Sequence, residues 1–297
     1  MYKHKLMKNK LIKDLCIIIV SFKSKTKTLK LIKKIDKSIS MIIVENSQDT
    51  DLKVLIEKKY KNIEVIIPKY NNGFACSLNL AVKKTNKKYI MYLDTDISIN
   101  KNQISKLLDK AGEVKNFGAI TPKLYDQKNY QDLIINNTKV NGLSEVSFNT
   151  GCLMLMKKSL MKKINYFDDN YFLYFEEADF YKRCIDNNLP IYMYDKVIIK
   201  HEGSSSIEKN LKNEYKKIRN WHYCWSKFYY YKKHHGYFRG LSKTFPNLIR
   251  SIKNIVYCFL TFDFKSIPYY YVEIEGLFSS YLNLKAFYRI KKNRLTQ

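Results

Sequence analysis

The chain has 297 residues, of which 45% are hydrophobic, and it contains only 9 Gly and 5 Pro. This composition predicts a folded protein with one large domain or two smaller ones, and it excludes collagen-like and wholly disordered chains. The 54 Lys+Arg against 27 Asp+Glu leave a net charge of +27, which attracts polyanions or an anionic membrane surface. A biased genome, rich in Lys, Ile and Asn codons, is an equally good explanation of most of this charge.

The cysteines and the apolar segments indicate the compartment. The six cysteines form no Cys-x-x-Cys pair, which argues against a zinc module and favours a reducing cytoplasm. No stretch approaches the ~18–20 apolar residues of a spanning helix, and the basic start from Met1 to Lys13 has no cleavage site. We expect a cytoplasmic protein, either soluble or peripheral on the cytoplasmic face of a membrane.

Short β-branched runs alternate with Lys-rich segments in the first part of the chain. They predict strands at residues 15–20, 41–44, 63–67 and 89–93, and the segments between them have apolar residues at helical spacing. The alternation predicts an α/β fold with a mostly parallel sheet, in which ligands bind beyond the carboxyl ends of the strands. Each of these strands is followed by polar residues.

The character of the chain changes near residue 206. From Ile207 to Gln297 there are 18 Lys+Arg against 5 Asp+Glu, and aromatic residues are dense. We interpret this region as a helical appendage in which Pro246 and Pro268 mark helix starts or breaks. The predicted division is a basic lead at 1–13, an α/β domain at 14–206 and the helical region at 207–297.

Three constellations are candidates for chemistry. Asp94 and Asp96 follow a predicted strand, where carboxylates suit Mg²⁺ or Mn²⁺, although Asp is also a common turn residue. Glu176, Glu177 and Asp179 follow four aromatics, an environment that tunes a general base, or they simply begin an amphipathic helix. His201 follows a strand-like run and is a plausible third metal ligand, although a lone His is more often an ordinary residue.

Seven motifs follow one another between residues 14 and 206. In chain order they are Val20-Ser-Phe22, Val44-Glu-Asn-Ser47, Asn71-Asn-Gly-Phe-Ala75 with Asn79, Leu93-Asp-Thr-Asp96, Thr150-Gly-Cys-Leu153, Phe167 to Asp179 with Arg183, and His201-Glu-Gly-Ser204. Their order resembles family 2 glycosyltransferases, and is nearest the rhamnosyltransferase-like branch. The resemblance is specific for the family but not for the sugar.

The resemblance implies a GT-A fold, a single nucleotide-binding α/β domain that uses Mg²⁺ or Mn²⁺. The implied reaction transfers a sugar, rhamnose in the nearest branch, from a nucleotide-diphosphate donor to a hydroxyl of a glycan or lipid-linked acceptor in cell-surface polysaccharide synthesis, with inversion. Carried over residue by residue, the resemblance makes Glu177 the catalytic base. It assigns the donor to Ser21, Phe22, Glu45, Asn71, Gly73, Asn79 and Asp94, the metal to Asp94, Asp96 and His201, and a supporting role on the acceptor side to Gly151, Glu176, Asp179 and Arg183.

Three residues depart from the family pattern. Lys23 stands where an Asn is common, and Glu45 and Glu177 each stand where Asp is usual. The two Glu residues keep the carboxylate on a longer arm, which affects the positioning of each group more than its role. The Lys23 change weakens the donor-side assignment slightly.

Two other classes of function stay open at this point. The net charge and the basic residues interleaved with aromatics at 221–233 would suit a nucleic-acid binder, but the ordered carboxylates would repel a phosphate backbone, so no nucleic-acid partner is expected. A nucleotidyltransferase would also use an Asp-x-Asp on such a sheet. Such an enzyme is expected to have a Gly-rich loop after the first strand, and this chain has no glycine there.

The C-terminal region predicts contact with an anionic membrane. Lys and Arg would meet the head groups, while Trp and Tyr would lie at the interface. The alternative is that the aromatics form the core of a helical subdomain that packs on the catalytic sheet. One helical face can pack while another binds, so the two interpretations are compatible.

Overall fold

The computed structural model describes residues 11–126, 130–135, 139–202 and 212–289. These residues form two compact units. The first unit runs to Asp168 and resumes at Glu177, and the second combines Asp169–Glu176 with the helices that follow residue 211. The predicted boundary at 206 and most of the basic lead lie outside the described residues.

Strands and helices alternate in the first unit, as the sequence predicts. The strands are β1 (Leu15–Ser21), β2 (Ser40–Glu45), β3 (Ile63–Ile66), β4 (Tyr89–Leu93), β5 (Ile97–Ser98), β6 (Ala119–Leu124), β7 (Ser144–Glu145), β8 (Leu153–Lys157) and β9 (Ile191–His201). The helices are α1 (Lys25–Ile32), α2 (Thr50–Lys59), α3 (Gly73–Lys84), α4 (Lys101–Glu113), α5 (Lys158–Lys163) and α6 (Glu176–Asp186), and a 3₁₀ turn spans Tyr130–Leu133.

The described strands form one mixed sheet with the order β3-β2-β1-β4-β8-β6-β9-β5, and β7 pairs with β9. The first four strands of this order are parallel, and so is the pair of β6 and β9. Strand β8 runs antiparallel to both its neighbours, and β5 and β7 run antiparallel to β9. Leu15 to Ile19 are all fully buried, as expected for a strand covered on both faces.

The second unit contains the helices α7 (Lys212–His235), α8 (Tyr237–Leu260) and α9 (Ile267–Tyr281). Trp221 and Trp225 of α7 pack with Val272 of α9 to form its core. The segment Asp169–Glu176 packs on the same helices, because the Ser226 hydroxyl donates to the Leu173 carbonyl at 2.9 Å. The predicted fold class, a mostly parallel α/β sheet plus a mainly helical C-terminal region, is confirmed.

The two prolines behave differently. Pro268 lies in the first turn of α9, as predicted, where its missing N–H has no intrahelical partner to lose. Pro246 lies inside α8, so the expectation of a helix start or break there is wrong. One lost backbone hydrogen bond does not end a 24-residue helix whose other turns and packing hold it together.

The cysteines and the helices bear on the compartment expected from the sequence. All six cysteines are free thiols, and five of them are buried. Among the helices that the structure describes, none combines the length and the apolar character that crossing a bilayer requires.

Candidate active site

Three side chains converge at the end of β4. Asp94 and Asp96 directly follow this strand, and His201 is the last residue of β9, where it pairs in register with Ile97. The His201 Nε2 atom lies 3.0 Å from Asp96 Oδ1 and 3.6 Å from Asp94 Oδ2. One ligand atom from each residue lies within 4.8 Å of the others. The pairing of β5 with β9 therefore brings together residues that are 105 positions apart in the chain.

The pKa values of these three side chains are shifted by burial and by their mutual contacts. Burial raises the pKa of Asp94 to about 7, and the negative charges of Asp96 and Glu177 add to this effect. Burial would also raise the pKa of Asp96, but the hydrogen bond and positive charge of His201, together with Lys27, lower it overall. The hydrogen bond to Asp96 raises the pKa of His201. A divalent cation would relieve the crowding of carboxylates, and two carboxylates with one imidazole suit Mg²⁺ or Mn²⁺.

Tyr92, Lys27 and Glu202 also belong to this site; Glu202 lies in the motif His201–Ser204 but received no role, and no motif contained Tyr92 or Lys27. The Tyr92 hydroxyl donates a hydrogen bond to Asp94 Oδ1. Lys27 Nζ lies 3.9 Å from Asp96 Oδ2 and 3.7 Å from Glu202 Oε2. Tyr92 could have been found from the sequence, because alternate residues along a strand project to the same face. Lys27 belongs to α1, and nothing in the local sequence links it to residue 96.

Glu177 is the second residue of α6 and is half-buried. A Cβ added at Gly151 would lie 3.2 Å from the Glu177 Cβ, so a larger residue at 151 would press on this side chain. The next residue, Cys152, accepts a hydrogen bond from the Asp94 N–H at 2.9 Å. The turn before β8 thus contacts both the predicted base and the predicted metal site.

Asp179 and Arg183 form an ion pair on α6. The Arg183 Nε donates to Asp179 Oδ2 at 2.8 Å, and its Nη1 donates to the Ile164 carbonyl at 2.5 Å. Asp179 is fully buried, so this pairing offsets the cost of its desolvation. The pair ties the helix that carries Glu177 to the turn after α5. Glu176, the first residue of α6, is buried and is grouped with the second unit.

The predicted donor residues at the ends of β1 and β2 lie side by side, since Ser21 pairs in register with Glu45. Both are buried. The Ser21 hydroxyl bonds Ser24 at 3.0 Å, and Glu45 accepts the Ser47 N–H at 2.6 Å as well as the Ser47 hydroxyl. These side chains thus shape the two loops at the strand ends. Phe22 follows Ser21 and is half-buried.

The remaining donor residues lie around the start of α3. The Asn71 side chain accepts the Gly73 N–H at 2.9 Å, and Gly73 has a φ of +75°, a conformation that favours glycine. Asn79 is buried and bonds the Phe167 backbone in both directions, donating at 2.8 Å and accepting at 3.1 Å. Asn71 and Gly73 therefore form a turn, whereas Asn79 holds the Phe167 turn in place.

Residues 16–165 match the model of Glycosyl transferase family 2. The chain belongs to this family. It is 23% identical over 141 residues to the low-salt glycan biosynthesis hexosyltransferase Agl10 of Haloferax volcanii, a match that covers 41% of this chain and 45% of that protein. The chain thus matches less than half the length of this relative.

Solved structures with the same fold include three glycosyltransferase structures. The mannosyltransferase PcManGT from Pyrobaculum calidifontis, in complex with GDP-Man and Mn²⁺, has a TM-score of 0.59 at 11% identity, over 91% of this chain and 87% of that one. GalNAc-T7 with UDP, GalNAc and Mn²⁺ scores 0.52 at 12% identity, over 74% of this chain and 50% of that one. S. aureus TarS 1–349 scores 0.51 at 14% identity, over 93% of each chain. The GT-A fold that the resemblance implies is confirmed.

Proposed function

We propose that this family 2 glycosyltransferase moves a hexose from a nucleotide-diphosphate sugar to a hydroxyl of a glycan or lipid-linked acceptor, with inversion. The observation that carries the proposal is the convergence of Asp94, Asp96 and His201 within 4.8 Å beside the turn that contacts Glu177. The relative named a hexosyltransferase supports a hexose donor. Two similar structures that contain a nucleotide or nucleotide sugar with Mn²⁺ support the donor class and the metal.

The metal site would be formed by Asp94, Asp96 and His201. When bound there, Mg²⁺ or Mn²⁺ would neutralise the negative charge that develops on the departing nucleoside diphosphate. Tyr92 holds the Asp94 carboxylate by its hydrogen bond, and Lys27 adds a positive charge beside Asp96. These two residues would keep the carboxylates oriented before the donor arrives.

Glu177 would accept the proton of the acceptor hydroxyl. The hydroxyl oxygen then forms a bond to the anomeric carbon while the bond from that carbon to the phosphate oxygen breaks, and the electron pair leaves with the nucleoside diphosphate. Attack and departure on opposite faces of the ring invert the configuration. No covalent sugar–enzyme intermediate forms, so one carboxylate base is sufficient.

The proposed donor pocket lies at the carboxyl ends of β1 and β2 and at the start of α3. Ser21, Phe22, Glu45, Asn71 and Gly73 would line it, which agrees with the general location of ligands on such sheets. Asn79 would act on the pocket through the Phe167 turn that it holds. Asp179 and Arg183 would support α6, and Gly151 would leave room for Glu177.

A donor panel tests this function. The purified chain is incubated with dTDP-, UDP- and GDP-sugars, including dTDP-rhamnose, with Mg²⁺ or Mn²⁺ and a hydroxyl acceptor, and nucleoside diphosphate release is measured. The proposed inverting glycosyltransferase would release the diphosphate and produce the inverted anomer, which NMR identifies. Release of pyrophosphate from a nucleoside triphosphate and a sugar phosphate would instead favour the nucleotidyltransferase alternative.

We also propose that the protein works at the cytoplasmic face of an anionic membrane. The excess of 18 Lys+Arg over 5 Asp+Glu after residue 206 supports this location. A lipid-linked acceptor would be available at such a surface.

A further inference from the structure

Helix α8 carries large apolar residues on its exposed side and small residues on its packed side. Its buried residues are Gly240, Thr244, Ser251 and Cys258. Its exposed apolar residues are Phe238, Phe245, Ile249, Ile252, Val256 and Leu260, which are 37% to 84% exposed. Their successive spacings of seven, four, three, four and four residues place them on one face, which we call the outer face of α8. A helix that faces water normally has the opposite pattern.

The small residues on the packed side allow α8 to approach its neighbours closely. A Cβ added at Gly240 would lie 2.8 Å from the ring of Phe228 in α7. Ser251 donates to Glu273 of α9 at 2.6 Å. Tyr237 also packs on the Phe228 ring at 5.4 Å, but the large side chains of the outer face are exposed and are not part of the helical core.

The apolar surface continues through Phe259, in the last turn of α8, into the turn after this helix. Phe259, Phe262 and Phe264 are all more than half exposed. The Phe264 ring centroid lies 5.9 Å from that of Phe259 and 6.2 Å from that of Phe262, so the three rings form one exposed cluster. Exposed apolar patches of this extent mark interaction surfaces.

The charges beside this surface are mostly positive. Helix α8 contains Arg239, Lys243, Arg250 and Lys253 but no Asp or Glu, and the turn after it adds Lys265 and one acidic residue, Asp263. Arg250 pairs with Glu273 at 3.0 Å, so its charge is partly neutralised. Two copies of this face would bring like charges together, whereas an anionic lipid surface is complementary to it.

We propose that the outer face of α8 and its Phe259–Phe264 turn dock in the plane of an anionic lipid bilayer. The helix is not long and apolar enough to span a bilayer, so it would lie in the interface with its phenylalanines in the acyl boundary. The inference rests on the proposed membrane location and names the surface responsible for it. It does not depend on the identity of the donor or the acceptor.

Vesicle flotation with the full chain tests the surface. The wild type should float with vesicles of phosphatidylcholine and phosphatidylglycerol, and less with phosphatidylcholine alone. The variant Leu260→Ser/Phe262→Ser should bind at least ~10-fold more weakly, since each side chain loses burial in the acyl region. Val54→Ser/Leu55→Ser is the matched control, because these α2 residues are also exposed but belong to the first unit.

The outcomes separate the proposals. If Leu260→Ser/Phe262→Ser binds vesicles as well as the control and the wild type do, the assignment to α8 is wrong while the membrane location stands. If the wild type ignores anionic vesicles, the membrane location is wrong as well. A wild-type dimer that the Leu260→Ser/Phe262→Ser variant dissociates, without vesicle binding, would mean that a second copy covers the face. Nucleoside diphosphate release without vesicles should be equal in all variants, so the transferase proposal is judged separately.

A second variant guards against misfolding. Phe238→Ser/Phe245→Ser alters the other end of the same face, where both side chains are more than half exposed. It should lower vesicle binding by a similar factor while its thermal unfolding curve matches that of the wild type. Unchanged binding in this variant and in Leu260→Ser/Phe262→Ser, both correctly folded, would overturn the proposal.

Discussion

Glu177 can take a proton from an acceptor only through its carboxylate, so replacing that carboxylate by an amide isolates the chemical step. We expect Glu177→Gln to lower turnover by roughly 10²–10⁴-fold while donor binding is unchanged. Steady-state kinetics and donor titration measure the two quantities, with the surface substitution Glu113→Gln as the control. Near-wild-type turnover would contradict the assignment, and a loss confined to Glu176→Gln would move the role to that residue.

The metal cluster leads to a second prediction. We expect Asp96→Ala to abolish metal-dependent donor binding. We expect His201→Ala to weaken Mn²⁺ binding at least ~10-fold, because Asp96 and His201 each offer one ligand atom to the cluster. Calorimetric titration with Mn²⁺ measures this directly. Asp51→Asn is the control, since Asp51 is an exposed carboxylate of α2 that offers no atom to the cluster. Undiminished turnover in EDTA would refute the role of a metal.

At the residue scale, the sequence predicts which carboxylates and which histidine meet, because strand ends share one edge of the sheet. Asp94, Asp96 and His201 are close together for this reason. The contacts that orient them depend on packing between distant elements. Lys27 reaches Asp96 from α1, and Asn79 binds the backbone of Phe167, 88 positions later. Nothing in the local sequence records such contacts.

At the scale of elements, strands with long apolar runs can be predicted from the sequence, whereas very short strands cannot. The four strands predicted from β-branched runs are present as β1 to β4. Strands β5 and β7 have only two residues each, too few for any periodicity to appear. Strand β8 pairs antiparallel to both β4 and β6, a direction that the apolar pattern of its own residues does not encode. The mixed character of the sheet was therefore not visible in the sequence.

Helix α9 approaches α7 at Gly276, and this contact can be tested. A Cβ at Gly276 would lie 2.4 Å from the Trp221 carbonyl oxygen, so Gly276→Ala must push the two backbones apart. We expect it to lower the free energy of unfolding by ~1–3 kcal/mol, measured by urea denaturation. Gly112→Ala in α4 is the matched control, because its Cβ meets only the Leu11 side chain and the helix gains propensity. Equal stability of the two variants would contradict the contact.

At the scale of the whole molecule, the two units are not two consecutive halves of the chain. Asp169–Glu176 belongs to the second unit, and the chain returns to the first unit at Glu177. The change of composition near residue 206 predicts a C-terminal region but not this excursion. Phe172 packs on His222, 50 positions later, at a ring distance of 4.5 Å. Tyr171 and Phe172, two of the four aromatics before Glu177, are therefore buried within the helical unit.

His222 connects this core to the pH dependence of stability. Its side chain is fully buried, and its Nε2–H donates to the Tyr288 carbonyl at 2.8 Å. Burial lowers its pKa to about 3, and the positive charge of Arg289 contributes in the same direction. Its Nδ1 has no hydrogen-bond partner among the residues that the structure describes, so a proton added there would lack an acceptor.

A histidine in the unfolded chain has a pKa near 6.5, so it binds a proton that folded His222 does not. The contribution of neutral His222 to the free energy of unfolding is therefore fully present above about pH 6.5. It is lost as the pH falls toward 3, by about 1.4 kcal/mol per pH unit. We expect His222→Gln to reduce this slope between about pH 6.5 and pH 5 in urea denaturation. His235→Gln, at an exposed position in the same helix, should keep the wild-type slope. A wild-type slope in His222→Gln would mean that the buried imidazole does not control acid sensitivity.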